Sequence, residues 1–120
     1  MMTKSTAMTS IKVQDKLHQK LQQRIINDGY GMRGKSKWIA EAIESFLDLP
    51  DYPTFADIAG DMHHSKELIS IRLSDHLMTK LERAIIETRR HYPGMEGVKS
   101  NLIRASILQR LIRQTTSVTE

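Results

Sequence analysis

Residues 11–26 read IKVQDKLHQKLQQRII, and sixty positions later residues 71–86 read IRLSDHLMTKLERAII. Ile11, Val13, Asp15, Leu17, Lys20, Leu21, Ile25 and Ile26 fall on Ile71, Leu73, Asp75, Leu77, Lys80, Leu81, Ile85 and Ile86. A loop follows each copy, YGMRGKS at 30–36 and YPGMEGVKS at 92–100, each with a tyrosine, a Gly-Met-x-Gly core and a closing Lys-Ser. The second copy is four residues longer, counted from the start of its strand to its closing serine. Beyond the loops, SKWIAEAIESFL matches SNLIRASILQRL, with Ile39, Ile43 and Leu47 on Ile103, Ile107 and Leu111. Two copies of one unit make up most of the chain, and any fold has to be assembled from two like pieces.

Each unit opens with strict alternation, Ser10-Ile11-Lys12-Val13-Gln14 and Ser70-Ile71-Arg72-Leu73-Ser74, which predicts a short strand with one apolar and one polar face. The period then changes to four. Leu17, Leu21 and Ile25, like Leu77, Leu81 and Ile85, form the buried stripe of an amphipathic helix, with Asp15 or Asp75 in its first turn. Gly29 and Gly31, or Pro93 and Gly94, end that helix. Ser36 and Ser100 stand where N-caps of a second helix belong, with Ile39, Ile43 and Leu47, or Ile103, Ile107 and Leu111, as its buried positions.

A unit of roughly forty residues is too small for a self-sufficient core, and a lone strand has nothing within its unit to pair with. Both problems vanish if the two strands pair antiparallel over four packed helices. The expected fold is therefore mainly α with a two-stranded antiparallel β-ribbon, the two repeats forming a pseudo-dimer within one chain. The expected divisions are a flexible tail at 1–8, repeat 1 at 9–47, an acidic linker at 48–67, repeat 2 at 68–113 and a tail at 114–120. Within the linker, TFADIAGDM is expected to form a short helical turn docking Phe55 and Ile58.

Charge divides the chain in the same places. Residues 11–47 hold seven basic and four acidic side chains, residues 69–112 eight and four, and residues 48–68 one lysine against five acids. Overall the net charge is +4, with a pI near 9.5, a balance suited to a polyanionic partner. The absence of cysteine excludes disulfides and thiolate metal sites. No apolar run is long enough for a membrane span, and MMTKSTAMTS lacks the apolar centre of a signal peptide, so a cytoplasmic protein with no membrane partner is expected.

With the apolar strand faces closing the core, the polar faces project together from a ribbon of the size that fits the major groove of B-DNA. Here the sequence resembles the ribbon-helix-helix DNA-binding proteins of bacteria, plasmids and phages. ISIRLSDHLMTKL, a glycine-containing turn and KSNLIRASI are similar to that family's pattern in order, spacing and residue type, and the resemblance covers about two-thirds of the chain. The tandem form resembles duplicated members among conjugation accessory proteins.

The resemblance implies sequence-specific binding of double-stranded DNA. Ser10, Lys12, Ser70 and Arg72 would touch base edges, with Gln14 and Ser74 at the strand ends; Arg72, whose fork can make two bonds to guanine, is the strongest of these. It also implies a phosphate clamp at the start of each second helix: Lys35, Ser36 and Lys37 in repeat 1, and Lys99, Ser100 and Asn101 in repeat 2. The repeats differ at Lys12 and Arg72, Gln14 and Ser74, and Arg33 and Glu96, so an asymmetric DNA site is expected. The function implied is a bacterial or plasmid transcriptional regulator, or an accessory protein of a conjugative relaxosome at a transfer origin. RNA polymerase or a relaxase would be the protein partner, and protomers would associate side by side on DNA.

Other features point elsewhere less well. His63-His64, near Asp61 and Glu67, read as a polar linker rather than a metal site. Trp38, Phe46 and the methionines read as core and loop, not as a cofactor box, so no cofactor is expected. Nothing resembles a nucleotide loop or a nucleophile–histidine pair, and an enzyme is not expected. A pair of helix-turn-helix units fits poorly, because the second helix of copy one carries Glu41 and Glu44 on its outer face. An antitoxin usually carries a longer tail than RQTTSVTE.

Overall fold

A computed structural model of the chain describes residues 6–31, 33–60 and 66–118, with side chains as far as Arg113. In order, the elements are β1 (Thr6–Val13), α1 (Asp15–Asn27), α2 (Lys35–Leu47), α3 (Tyr52–Ala59), β2 (Glu67–Ser74), α4 (Asp75–His91) and α5 (Val98–Val118). The fold is mainly helical with a two-stranded sheet, in which β1 pairs antiparallel with β2 from Thr6 opposite Ser74 to Val13 opposite Glu67. Both strands are longer than their alternation predicts: β1 begins at Thr6, inside the expected tail, and α5 runs on to Val118 through the other one. Among the described residues, no helix is long and apolar enough to cross a membrane.

One face of the ribbon is closed into the core by Ile11, Val13, Ile69, Ile71 and Leu73. Beneath it lie Leu17, Leu21 and Ile25 of α1, Leu77 and Leu81 of α4, and the stripes of α2 and α5 around Trp38, Ile39, Ile43, Phe46, Leu102, Ile103 and Ile107, that of α5 also burying Asn101 and Ser106. The stripe of α4 departs from its sequence pattern after Leu81, passing to the smaller Ala84 and Thr88 while Ile85 is only partly buried; Leu111 is likewise at the core's margin.

The ends of the helices follow from local chemistry. Ser74 caps α4 by accepting a hydrogen bond from the Leu77 N–H at 3.1 Å, whereas its counterpart Gln14 caps α1 only with extended backbone. α1 ends in a Schellman motif: Gly29, at φ 81°, donates to the Ile26 carbonyl and Tyr30 to that of Ile25. The two Gly-Met-x-Gly loops share letters but not conformation. Gly31 is left-handed in the first loop, and in the second it is Gly97. Gly34 is needed for another reason, since a Cβ there would lie 2.4 Å from the Tyr30 Cβ and 2.6 Å from its carbonyl oxygen.

The linker does form a helix, but with a different face inward. Pro53, Ala56 and Ala59 are buried, because the small side chains let α3 lie close on α4 and α5; Phe55 docks in part, its ring 6.2 Å from that of the buried Phe46, and Ile58 points outward. Gly60 continues that approach, its backbone passing so near Asn101 that a Cβ would stand 3.0 Å from the Nδ2. Salt bridges tie the helices across the body. Lys80 of α4 reaches Glu44 at 2.7 Å and Asp48 at 3.2 Å, and the hydrogen bond to Glu44 is the main reason its ammonium is held above its ordinary pKa. Arg110 of α5 stacks 4.4 Å from the Trp38 ring and donates to the Trp38 carbonyl and the Tyr30 hydroxyl.

Two substitutions test this account by urea denaturation. Gly34→Ala should lower stability by about 1–3 kcal/mol through overpacking against Tyr30, whereas Gly94→Ala, with open space around the new methyl, should stay within about 0.5 kcal/mol of the parent. Thr9 lies on the buried strand face, where its hydroxyl has no hydrogen-bond partner among the described residues and its repeat counterpart is Ile69. Thr9→Val should therefore stabilise, by about 1 kcal/mol.

Candidate nucleic-acid interface

Strand alternation turns Thr6, Met8, Ser10 and Lys12 of β1 outward, and Leu68, Ser70, Arg72 and Ser74 of β2 beside them. The register sets these in cross-strand rows: Thr6 with Ser74, Met8 with Arg72, Ser10 with Ser70, and Lys12 with Leu68. At the centre the Ser10 and Ser70 hydroxyls lie 3.0 Å apart and bond to each other. One cation and one apolar side chain flank that pair on each side. Such a face offers guanidinium and ammonium donors for acceptor atoms and apolar surface for a methyl group.

Lys12 and Arg72 are positioned through their backbones, which leaves their side chains exposed. The Arg72 N–H donates to Ser36 Oγ at 2.9 Å, pinning β2 to the start of α2. The Lys12 carbonyl accepts from Arg104 of α5 at 2.8 Å, pinning β1 to the first turns of that helix. Arg104 also donates to the Asn101 side chain. Burial pushes its guanidinium below the ordinary value, yet an arginine so placed keeps its charge at neutral pH. One second helix thus begins beside each strand of the ribbon.

The expected clamp residues sit at those beginnings, in altered roles. The Gly34 carbonyl accepts the first helical bond of α2, from Trp38, and the Gly97 carbonyl that of α5, from Asn101. Each glycine is therefore the N-cap residue. Ser36 lies two residues further in and spends its hydroxyl on the Arg72 N–H, and Ser100 also lies inside its helix. The expectation of serine caps is corrected: glycine holds each cap position, Gly34 because a Cβ there would meet Tyr30 and Gly97 because its φ is 62°. Lys35, Lys99 and Ser100 are half-exposed, and Lys37 is exposed with its ammonium 5.8 Å from the Tyr30 ring centre. Asn101 departs from the set. It is buried, its amide donating to the Glu96 carbonyl, so its side chain does not reach the surface.

At the strand ends, Gln14 is the half-buried residue before α1 rather than part of the ribbon, and Ser74 is exposed with its hydroxyl engaged as a cap. Met8 and Leu68, sixty positions apart, escape the sequence reading, although they are 58% and 62% exposed on the ribbon's outer face. Both sit where an outward residue is apolar, so the alternation that marks a strand stops short of them; extending the pairing register outward from Ser10 and Ser70 would have found them. The Glu41 and Glu44 carboxylates are taken up by Arg110 and Lys80. His63, His64 and Asp61 lie outside the described residues, among which no group of side chains is arranged to hold a metal.

Comparisons with protein-family models, with curated proteins and with solved structures find no match to this chain.

The distinction between scaffold and presented surface can be measured. Arg104→Ala should cost about 2 kcal/mol in urea denaturation, since it removes charged hydrogen bonds to Lys12 and Asn101 from a half-buried position. Arg72→Ala and Lys12→Ala, which remove only exposed side chains, should each stay within about 0.5 kcal/mol of the parent.

Proposed function

We propose that this chain is a tandem ribbon-helix-helix protein that binds double-stranded DNA sequence-specifically, its ribbon lying in the major groove. The observation that carries the reading is the arrangement of the ribbon's outer face. Ser10 stands opposite its own repeat counterpart, Ser70, and the row Met8–Arg72 is mirrored by the row Lys12–Leu68. Those relations support reading the two repeats as halves of an intramolecular pseudo-dimer, with its axis between the two serines.

In this reading Arg72 and Lys12 donate to guanine O6 and N7, Ser10 and Ser70 read the central step, and Met8 and Leu68 offer apolar contact to thymine methyl groups. Gln14 and Ser74 lie at the margins of that face. The phosphate contacts come from the helix starts. The backbone N–H groups of the first turns have no partner within their helices, and Lys35, Ser36 and Lys37 on one side, with Lys99 and Ser100 on the other, surround them with donors and positive charge. Asn101 serves this end from within, by holding the Glu96 carbonyl and Arg104.

The two halves are alike but not identical, lysine answering arginine and methionine answering leucine, so the preferred site is a near-palindrome with unequal arms. The corresponding biological role is that of a cytoplasmic regulator of bacterial or plasmid transcription. The duplicated architecture is equally suited to an accessory role at a transfer origin, where the same DNA contacts would assemble a relaxase complex.

Selection of bound fragments from a random duplex library, at moderate salt, tests the reading. A short motif with unequal arms should emerge. Arg72→Ala should lose discrimination at one arm by about 1–3 kcal/mol, and Lys12→Ala at the other. Affinity should fall with salt by a log–log slope of about −0.9 per phosphate neutralised. A perfect palindrome would mean that like repeats pair between chains. Binding with no motif, unchanged in the double variant, would rule out reading by the ribbon.

A further inference from the structure

The surface where α1 meets α5 and the surface where α4 meets α2 are repeat counterparts, and they have diverged. On the α4 side, Lys80 is closed off by Glu44 and Asp48. On the α1 side the corresponding lysine is Lys20, but the positions of those two acids are held by Leu108 and Ile112. The result is a groove of about 390 Å³ with an apolar floor that includes Leu17, Leu108 and Leu111, a rim of Lys20 and of Arg24, whose guanidinium also lies 3.7 Å from the Asp28 carboxylate, and Ile112 at its edge, 63% exposed.

The molecule also carries a surface complementary to that groove. The outward face of α3 presents Ile58, 60% exposed, and at its edge, one turn away, the 41% exposed side of Phe55, whose ring also packs 6.2 Å from that of Phe46. Asp51 and Asp57 are exposed around them, and there is no basic residue from 48 through 60. α3 cannot turn this face into its own groove, because Pro53, Ala56 and Ala59 hold it by its other side against α4 and α5.

We propose that α3 of one copy docks in the α1–α5 groove of a second copy, Phe55 and Ile58 entering against Leu108 and Ile112 while Asp51 and Asp57 meet Lys20 and Arg24. Different surfaces of the two copies take part, so the contact is heterologous and head-to-tail, and it propagates into open chains or closed rings of more than two copies. A helix of eight residues, about 12 Å long, covers less than the roughly 800 Å² per partner of a standard interface. Association is accordingly weak, concentration-dependent and reduced by salt. The contact uses no residue of the ribbon's outer face and needs no nucleic acid, so it stands or falls separately from DNA binding.

A complementation experiment tests it on the full chain. By sedimentation velocity at low salt, from micromolar to millimolar concentration, the parent should show reversible growth beyond a dimer. Ile58→Glu damages only the inserted face and Ile112→Glu only the groove. Both residues are exposed, so each variant should melt like the parent while its association constant falls at least tenfold. Mixed together, the two should recover one contact and form a 1:1 pair that grows no further, since the intact groove of the first accepts the intact α3 of the second. A charge exchange gives independent control: Asp57→Lys should weaken association, and mixing it with a Lys20→Glu chain should restore pairing. A parent that stays monomeric throughout, single variants that associate like the parent, or a mixture no better than its components would each overturn the proposal.

Discussion

Eight residues of β1 lie opposite eight of β2, and the rest of the molecule takes its position from that pairing. Neither strand has a partner within its own repeat, and helices of thirteen residues such as α1 and α2 are marginal alone in water. Antiparallel pairing satisfies the strand backbones and turns Ile11, Val13, Ile69, Ile71 and Leu73 to one side, where the helices bury them. The same alternation forces Lys12 and Arg72 to the other side. Core and presented surface are thus two faces of one set of hydrogen bonds, and a one-residue slip in register would exchange them. Ser36 and Arg104 guard against that slip by gripping the backbones of Arg72 and Lys12 from the two second helices.

Where burial alone decides a position, the sequence was readable. The spacing of Leu17, Leu21 and Ile25, and of Leu77 and Leu81, reports a buried stripe directly, and the change from period two to period four marks where each strand becomes a helix. The repeat added what periodicity could not, since two unpaired strands in like units imply each other. Less readable were positions fixed by contacts between distant elements. Met8 and Leu68 are apolar residues on an outward face, and Thr9 is a polar residue on an inward one, so the alternation signal ends although the pairing continues. Ser36 looks like a cap, but its hydroxyl is claimed by the backbone of a strand 36 residues away. Phe55 and Ile58 look like the docking face of α3, but close packing against α4 and α5 selects Pro53, Ala56 and Ala59, leaving Phe55 only partly docked against Phe46 and Ile58 outside. The duplicated Gly-Met-x-Gly loops carry the same lesson in backbone form: one leads into α2 and the other into α5, and a different glycine of the motif goes left-handed in each.

Divergence between the repeats is distributed unevenly, and the physics explains where it can accumulate. Many positions that close the core keep an apolar residue of the same kind in both repeats, as Ile11 and Ile71, Leu21 and Leu81, or Ile39 and Ile103 do, because a packed interior answers every lost or added methylene. On the ribbon's outer face the exchanges keep chemical character, lysine for arginine and methionine for leucine. The helix backs are under neither constraint. There Glu44 and Asp48 of one repeat correspond to Leu108 and Ile112 of the other, so one lysine sits in a salt-bridge network and its counterpart on the rim of an apolar groove.

The chain also leaves its two second helices differently: α2 stops at Leu47 and turns into α3, whereas α5 continues to Val118. A homodimer of a single repeat could not hold this difference, since every change would appear on both halves. Duplication within one chain lets the ribbon keep matched rows around Ser10 and Ser70 while the helical body carries α3 and the α1–α5 groove once each. Head-to-tail association requires that asymmetry, because a body with two-fold symmetry would offer each surface twice. Under the proposed function, the tandem arrangement separates two demands that a symmetric dimer must meet together: a nearly symmetric face toward DNA and a directional face toward the next copy of itself.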